Sequence, residues 1–272
     1  MDWKHHLVGT FSWQRVLRSA IAVYVLLVAY LYLRMDAMVF QPQPSSYHDE
    51  RGLVKLACPD GRRITAVWLP NPQARFTLLY SHGNAEDLGE NLPLYQHLHD
   101  LGFAVLGYDY HGYGTSEGVP GERTSELDIE AAYAYLTGPL HVPPTRLIAY
   151  GRSVGGGPTL ALASRHALGA LILESTFTDP ASVLVPVRLL PWVMFPCLER
   201  LKALKLPVLV MHGEADDTIP VTHGRALFAA ATGPKWALWV PGAGHDDFKQ
   251  VAGKKYDDSL RAFAQQLGTM RL

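Results

Sequence analysis

The sequence predicts an α/β domain built around a mostly parallel sheet of eight strands with helices on both faces. Three observations predict it. From residue 53 onward, short apolar runs alternate with longer stretches of helical periodicity, the rhythm of right-handed βαβ units. The later apolar runs are continuous rather than alternating, as strands covered on both faces are. The first two runs are separated only by the turn CPDGR (58–62), which suits an antiparallel edge hairpin.

Taken in order, strands are expected at 53–57, 64–69, 77–81, 104–108, 147–150, 170–173, 208–212 and 236–240. Helices are expected at 88–101, 123–136, 154–168, 222–231 and 256–267. Residues 178–205 break the rhythm: Pro180, Pro186, Pro191 and Pro196 stand among apolar residues and forbid one long helix. Such a kinked apolar insertion between two strands reads as a short cap over a pocket or as the packing of a crossover connection. If it is a cap, Leu189, Leu190, Trp192, Val193, Met194 and Phe195 could wall an acyl pocket, with Trp192, Met194 and Phe195 as the candidate substrate contacts.

Composition narrows the function classes. The 272 residues are 48% hydrophobic and 18% charged, a globular balance that excludes wholesale disorder. With 24 basic and 25 acidic residues the net charge is −1, which argues against a nucleic-acid partner. The two cysteines, Cys58 and Cys197, cannot supply a disulfide framework or a cysteine-rich zinc site. One bond between them is open in an oxidising compartment, and two separate thiols are favoured.

The N-terminus has its own character. Residues 19–33 (SAIAVYVLLVAYLYL) carry no charge and span ~22 Å as a helix, against a hydrocarbon core of ~30 Å. Extending to Val16 includes Arg18, whose stem can snorkel, and brings the length to ~27 Å. Trp3, Phe11 and Trp13 on one side, and Tyr30, Tyr32 and Phe40 on the other, resemble interfacial aromatic belts. A single-pass anchor through residues 16–33 is therefore expected. A cleaved signal peptide, disfavoured by the lack of an A-x-A site before Gln41, and a buried or interface-lying helix are the alternatives. Lys4, Arg15 and Arg18 precede the uncharged stretch 19–33, while Arg34 follows it beside Asp36. The positive-inside rule then puts the N-terminus in the cytoplasm and the large domain outside. The expected organisation is an anchor with its flanks (1–40), a polar linker (41–52) and a catalytic domain (53–272) with its cap at about 178–205.

The chemistry is signalled by Gly151-Arg152-Ser153-Val154-Gly155, which follows the apolar strand LIAY and opens a helical pattern. This is the strand–turn–helix setting of a G-x-S-x-G nucleophile elbow. The glycines let strand and helix approach closely while Ser153 projects from a tight turn, and the helix N-terminus brings amide N–H groups toward a developing oxyanion. A serine hydroxyl needs a neighbouring base. The loop after the strand at 208–212 carries Glu214, Asp216 and Asp217, and the loop after 236–240 carries His245. The order Ser153, Asp216, His245 places all three at the C-terminal edge of a parallel sheet, where they can converge. His245 would take the Ser153 proton and Asp216 would orient the imidazole. The loop SHGNA (81–85) follows the third strand and fits the second oxyanion element, so the backbone N–H groups of Asn84 and Val154 are the expected donors, with Ala85 as the alternative to Asn84.

Together these elements resemble the α/β-hydrolase superfamily. SHGNAEDL resembles its oxyanion loop, DYHGYGTSEG (109–118) a loop of its serine-aminopeptidase-like branch, GRSVGG the elbow of that branch, HGEADDTIP its acid loop and GAGHDDF its histidine loop. The match spans about residues 53–268 with the motifs in register. Alignment of the acid loop puts Asp216, rather than Asp217, in the acid position. The N-terminal span, the elbow and the short cap are most similar to membrane-anchored hydrolases that include protein depalmitoylases. What the resemblance implies is an α/β-hydrolase fold and a serine hydrolase acting on esters or thioesters of small-molecule or acylated substrates, with no cofactor or metal. An aminopeptidase or amidase on the same triad is the alternative, with Glu174 as the residue that could hold a substrate amine; the short cap speaks against it. A non-catalytic binding protein should have lost a triad member, and none is missing. Asp109, His111 and Tyr113 read as loop braces, and Arg152 as the partner of a nearby carboxylate.

Overall fold

The computed structural model describes residues 12–49, 52–184 and 190–270. The chain divides into two compact units, residues 1–38 and 39–272. The first is α1 (Trp13–Val39), whose last residue crosses the boundary. At 27 residues it is longer than the 16–33 span expected, about 40 Å. An 18-residue stretch of it has a mean hydropathy of 2.0 and none of its residues is buried, so it is long and apolar enough to cross a membrane. Trp3 and Phe11 of the expected aromatic belt lie outside the described residues.

In the second unit eight strands form one sheet in the order β1-β2-β4-β3-β5-β6-β7-β8. They are β1 (Leu53–Ala57), β2 (Arg63–Leu69), β3 (Thr77–Ser81), β4 (Ala104–Tyr108), β5 (Leu147–Arg152), β6 (Ala170–Glu174), β7 (Val208–Gly213) and β8 (Lys235–Val240). The β1–β2 hairpin is antiparallel, and β2 also runs antiparallel to β4; every other pairing is parallel. All residues of β3, β4, β6 and β7 are buried, which is why these strands read as unbroken apolar runs.

The helices follow the expected rhythm: α2 (Leu88–Asp100), α3 (Glu122–Thr137), α4 (Gly156–Ala163), α5 (Pro180–Leu184), α6 (Cys197–Ala203), α7 (Val221–Ala230), α8 (Phe248–Ala252) and α9 (Lys254–Thr269). Leu78 and Tyr80 of β3, Ile148 and Tyr150 of β5, Tyr95 and Leu98 of α2, and Leu260 and Phe263 of α9 belong to one core cluster. The expected helix at 154–168 begins instead as a 3-10 turn over Ser153–Gly155 and ends at Ala163, where the Ser164 hydroxyl bonds back to the Leu160 carbonyl at 2.6 Å. Residues 178–205 hold the short helices α5 and α6, and α6 packs on α4 and α7 as a crossover element. Residues 185–189, including Leu189, lie outside the described set.

Two expectations change here. Phe40 is not an interfacial aromatic: it is 2% exposed, with its ring edge-on to Tyr110, Tyr113 and Phe195. Burying it is worth roughly 1.5–3 kcal/mol to the catalytic unit. The polar stretch after it is not a free linker either. Gln41, Ser46, Tyr47 and Asp49 hydrogen-bond to side chains of the catalytic domain, where the Asn84 amide oxygen, the buried carboxylates of Asp87 and Asp109 and the Thr115 hydroxyl supply the partners. Cys58 and Cys197 are both buried and unbridged.

Candidate active site

The site is built where the C-terminal ends of β3, β5, β7 and β8 meet. Ser153 follows β5 with φ of 53°, a left-handed conformation that β-branched residues do not tolerate and that a serine adopts here in the tight turn into α4. The surrounding glycines are steric necessities. A Cβ on Gly151 would lie 2.6 Å from the Gly155 carbonyl oxygen, and one on Gly155 would collide with the backbone of Ser81 and His82 at the end of β3. The elbow and the β3–α2 loop are thus in backbone contact. Thr176 holds the turn from the other side, its hydroxyl donating to the Ser153 carbonyl at 2.6 Å.

Ser153 Oγ lies 3.0 Å from His245 Nε2, and His245 Nδ1 lies 2.8 Å from Asp216 Oδ2. The other oxygen of Asp216 accepts from the backbone N–H groups of Thr218 and Ile219 at 3.0 and 2.7 Å. Behind it His212, wholly buried, has Nε2 at 3.3 Å from Asp216 Oδ2 and 2.8 Å from the Ile219 carbonyl. Burial alone would raise the Asp216 pKa. The hydrogen bonds from His212, His245 and the Ile219 amide outweigh it and hold the carboxyl far below the ordinary range. An ionised Asp216 keeps the proton of neutral His245 on Nδ1, leaving Nε2 to accept from Ser153.

The loop between β3 and α2 lies on the elbow's β3 side. Among the described residues, neither the Asn84 nor the Ala85 N–H meets an acceptor. The Asn84 side-chain oxygen is occupied: Oδ1 accepts from the Tyr113 hydroxyl at 2.7 Å and from the Gln41 N–H at 2.8 Å. The loop braces expected from sequence are present. Asp109 accepts from the Leu88 N–H at 2.9 Å and from the Tyr47 hydroxyl, and His111 pairs with Asp128 and with Asp60 at 3.1 Å.

Beside His245 a cavity of about 590 Å³ is lined by Asn84, Glu86, Arg152, Glu174, Lys249 and Tyr256, among others. Arg152 pairs with Glu86, lies 3.5 Å from both Glu174 and Asp246, and donates to the His245 carbonyl at 3.1 Å. Glu174, the residue that could have held an amine, is engaged by the Tyr150 hydroxyl and by Arg152, and burial pushes its carboxyl up. Trp192, Met194 and Phe195 do not line this cavity. Met194 and Phe195 are buried, the Phe195 ring over Gly157 and against Phe40 and Phe177. Among the described residues one group, Cys58, His111 and Asp128, has metal-ligand chemistry. These side chains are already bonded to one another, and burial beside Asp128 keeps the Cys58 thiol protonated.

With this geometry in place, the relatives decide the family. The chain is 37% identical to human α/β hydrolase domain-containing protein 17B over 210 residues, 76% of this chain and 72% of that protein. It belongs to the α/β-hydrolase family. Residues 72–195 match the family of serine aminopeptidases (S33), the branch indicated by the loop motifs. A nematode relative, α/β hydrolase domain-containing protein aho-3 of Caenorhabditis elegans, is 40% identical over 200 residues, 71% of this chain. The chain spans only 59% of that relative's length. Among solved structures, a Pyrococcus furiosus esterase superposes with TM-score 0.67 at 16% identity, covering 84% of this chain and 97% of the esterase. A Mycobacterium tuberculosis puromycin-hydrolyzing peptidase gives TM-score 0.63 at 19% identity, covering 79% of this chain and 39% of the peptidase. At such identities the likeness speaks for the fold. This α/β-hydrolase is an enzyme.

The motifs pointed to Ser153, Asp216 and His245, which the structure brings within hydrogen-bonding reach of one another, but three groups around them were not singled out. Phe40 and Gln41 read as the end of an anchor and the start of a linker. Thr176 lies just past β6 with no motif around it. His212 had one available signal, its place directly before Gly213 at the end of β7, one helical turn of sequence from Asp216.

Proposed function

We propose that this α/β-hydrolase cleaves carboxylic esters or thioesters through an acyl-enzyme on Ser153. The observation that carries this reading is the hydrogen-bonded chain from Ser153 through His245 to an ionised Asp216, with the serine held at an elbow. Ser153 Oγ attacks the acyl carbon and its proton passes to His245 Nε2. The backbone N–H groups of Val154 and Asn84 receive the oxyanion; both belong to segments that abut at the elbow, and the Asn84 N–H has no competing acceptor among the described residues. Collapse breaks the bond to the alkoxide or thiolate, which takes the proton from His245. Water then gives its proton to His245 and attacks the ester on Ser153. The second collapse returns the proton to Ser153 Oγ and releases the carboxylic acid.

The engagement of Glu174 by Tyr150 and Arg152 favours ester cleavage over aminopeptidase action, which needs a carboxylate available to a substrate amine. The similarity to membrane-anchored hydrolases, and the length and apolarity of α1, support an acylated substrate met at a bilayer through a single-pass anchor. The excess of Lys and Arg before the span supports an extracytoplasmic catalytic domain. A tagged fluorophosphonate on wild type and Ser153→Ala in detergent tests the mechanism. Labelling of wild type alone is expected, followed by turnover of acyl esters in a chain-length series. Equal labelling of both, or full hydrolysis by Ser153→Ala, would sink it.

A further inference from the structure

The segment that follows the apolar helix is bound to the same loop that carries Asn84. The Gln41 N–H donates to Asn84 Oδ1 at 2.8 Å and to the Tyr113 hydroxyl at 3.0 Å, and Tyr113 in turn donates to Asn84 Oδ1 at 2.7 Å. Five residues on, the Ser46 N–H donates to Asp87 Oδ2 at 2.6 Å and the Ser46 hydroxyl bonds to Asp87 Oδ1. Asp87 is the N-cap of α2, so it closes the far end of the loop. Phe40 is inserted between Tyr110, Tyr113 and Phe195, and Tyr110 donates to the His82 carbonyl at 2.7 Å, at the loop's near end.

The catalytic domain makes room for this segment. A Cβ on Gly89 would collide with Ser46, and one on Gly114 would run into Asp109 and Tyr47. Tyr47 is held there by Asp109, and burial beside that carboxylate raises its phenol pKa. A tether that only spanned a gap would need neither glycine and would not bury Phe40.

We propose that residues 40–47 are a positioning strap for the oxyanion hole, holding the β3–α2 loop so that the Asn84 N–H stays aimed at the acyl oxygen of the transition state. Phe40, Ser46 and Tyr113 are positioning residues that touch neither substrate nor Ser153. This inference rests on the assignment of Asn84 as an oxyanion donor. A pre-set donor lowers the barrier because it needs no reorganisation as charge develops; a loop released at one end loses that advantage in kcat while substrate affinity is kept.

The test uses the full chain in detergent. Tyr113→Phe removes one hydroxyl and keeps the ring; Ser46→Ala removes one hydroxyl at the other end; Phe40→Ala removes the wedge and Phe40→Leu restores its bulk. The readouts are kcat and KM on an acyl ester, the affinity of a trifluoromethyl ketone whose adduct with a serine carries an oxyanion, and Tm. The strap predicts that Tyr113→Phe and Phe40→Ala lower kcat about tenfold, less than the ~10²–10³ that follows deletion of a donor. KM stays within about twofold, ketone affinity falls in step with kcat, and Phe40→Leu recovers most of both. Wild-type kcat and ketone affinity in Tyr113→Phe and Ser46→Ala overturn the proposal, as does a loss confined to KM. If Phe40→Ala does not fold, Tyr113→Phe and Ser46→Ala decide. Ser153→Ala runs alongside: if it keeps activity, the triad reading fails and takes the strap with it, whereas an inactive Ser153→Ala beside fully active strap variants rejects the strap only.

Discussion

Asp216 is the residue on which the charge balance of the site depends. It accepts from His245, His212 and two backbone amides, and these donors hold its carboxyl ionised far below its ordinary pKa of ~3.9. A depressed folded-state pKa contributes stability that is fully present above the unfolded value and is lost as pH falls through the folded one. Asp216→Asn should therefore lower Tm at pH 5 to 8, with the gap to wild type closing below about pH 4. Thermal denaturation across that range checks it; a gap independent of pH would mean that Asp216 is not charged in the folded state. The same substitution removes the acceptor that fixes the His245 tautomer, and kcat should fall about 10⁴-fold. Because Asp216 stays ionised throughout, the acid limb of kcat/KM in wild type belongs to a group other than Asp216.

At the scale of elements, the elbow is a backbone-to-backbone junction between the β5–α4 turn and the end of β3. Gly155 is its contact point, since a side chain there would enter the Ser81 and His82 carbonyls. Gly155→Ala should destabilise the protein by about 1–3 kcal/mol, the usual cost of overpacking, and should reduce fluorophosphonate labelling of the folded fraction. Urea unfolding with parallel labelling measures both; a variant of wild-type stability and labelling would show that the two segments can part without loss. The glycine spacing makes this junction legible along the chain itself. The antiparallel pairing of β2 with β4 was not legible, because a strand's apolar pattern does not record which neighbour it joins or in which direction. The cap segment was half legible. Its prolines marked the break, but whether its apolar residues wall a pocket or fill the core depends on what faces them, and Met194 and Phe195 face core.

For the whole molecule, the compact units divide at residues 38 and 39, so the segment after the apolar helix belongs to the catalytic unit. A 27-residue helix with no buried residue and an 18-residue stretch of mean hydropathy 2.0 is long and apolar enough to cross a bilayer, which motivates the anchor as a prediction. The full chain should stay with membranes through an alkaline carbonate wash, and a chain beginning at Val39 should be soluble and still labelled by fluorophosphonate. Extraction of the full chain by carbonate would reduce the helix to a peripheral or cleaved segment.

The amino-acid sequence by itself determined the order of elements, the parallel core, the elbow at Ser153 and the loops that carry Asp216 and His245. Each of these is a local signal: an apolar run, a glycine spacing, a residue at the end of a strand. Only the tertiary structure decided what fills the space around them. It buried Phe40, bound Gln41 and Ser46 to the Asn84 loop, set His212 behind Asp216 and engaged Glu174 with Tyr150 and Arg152. Apart from the His212–Asp216 pair, those contacts join residues tens of positions apart through one or two hydrogen bonds and ring edges. Even where a residue such as Asn84, Glu174 or Arg152 drew notice by itself, the pattern along the chain does not record which partner it meets.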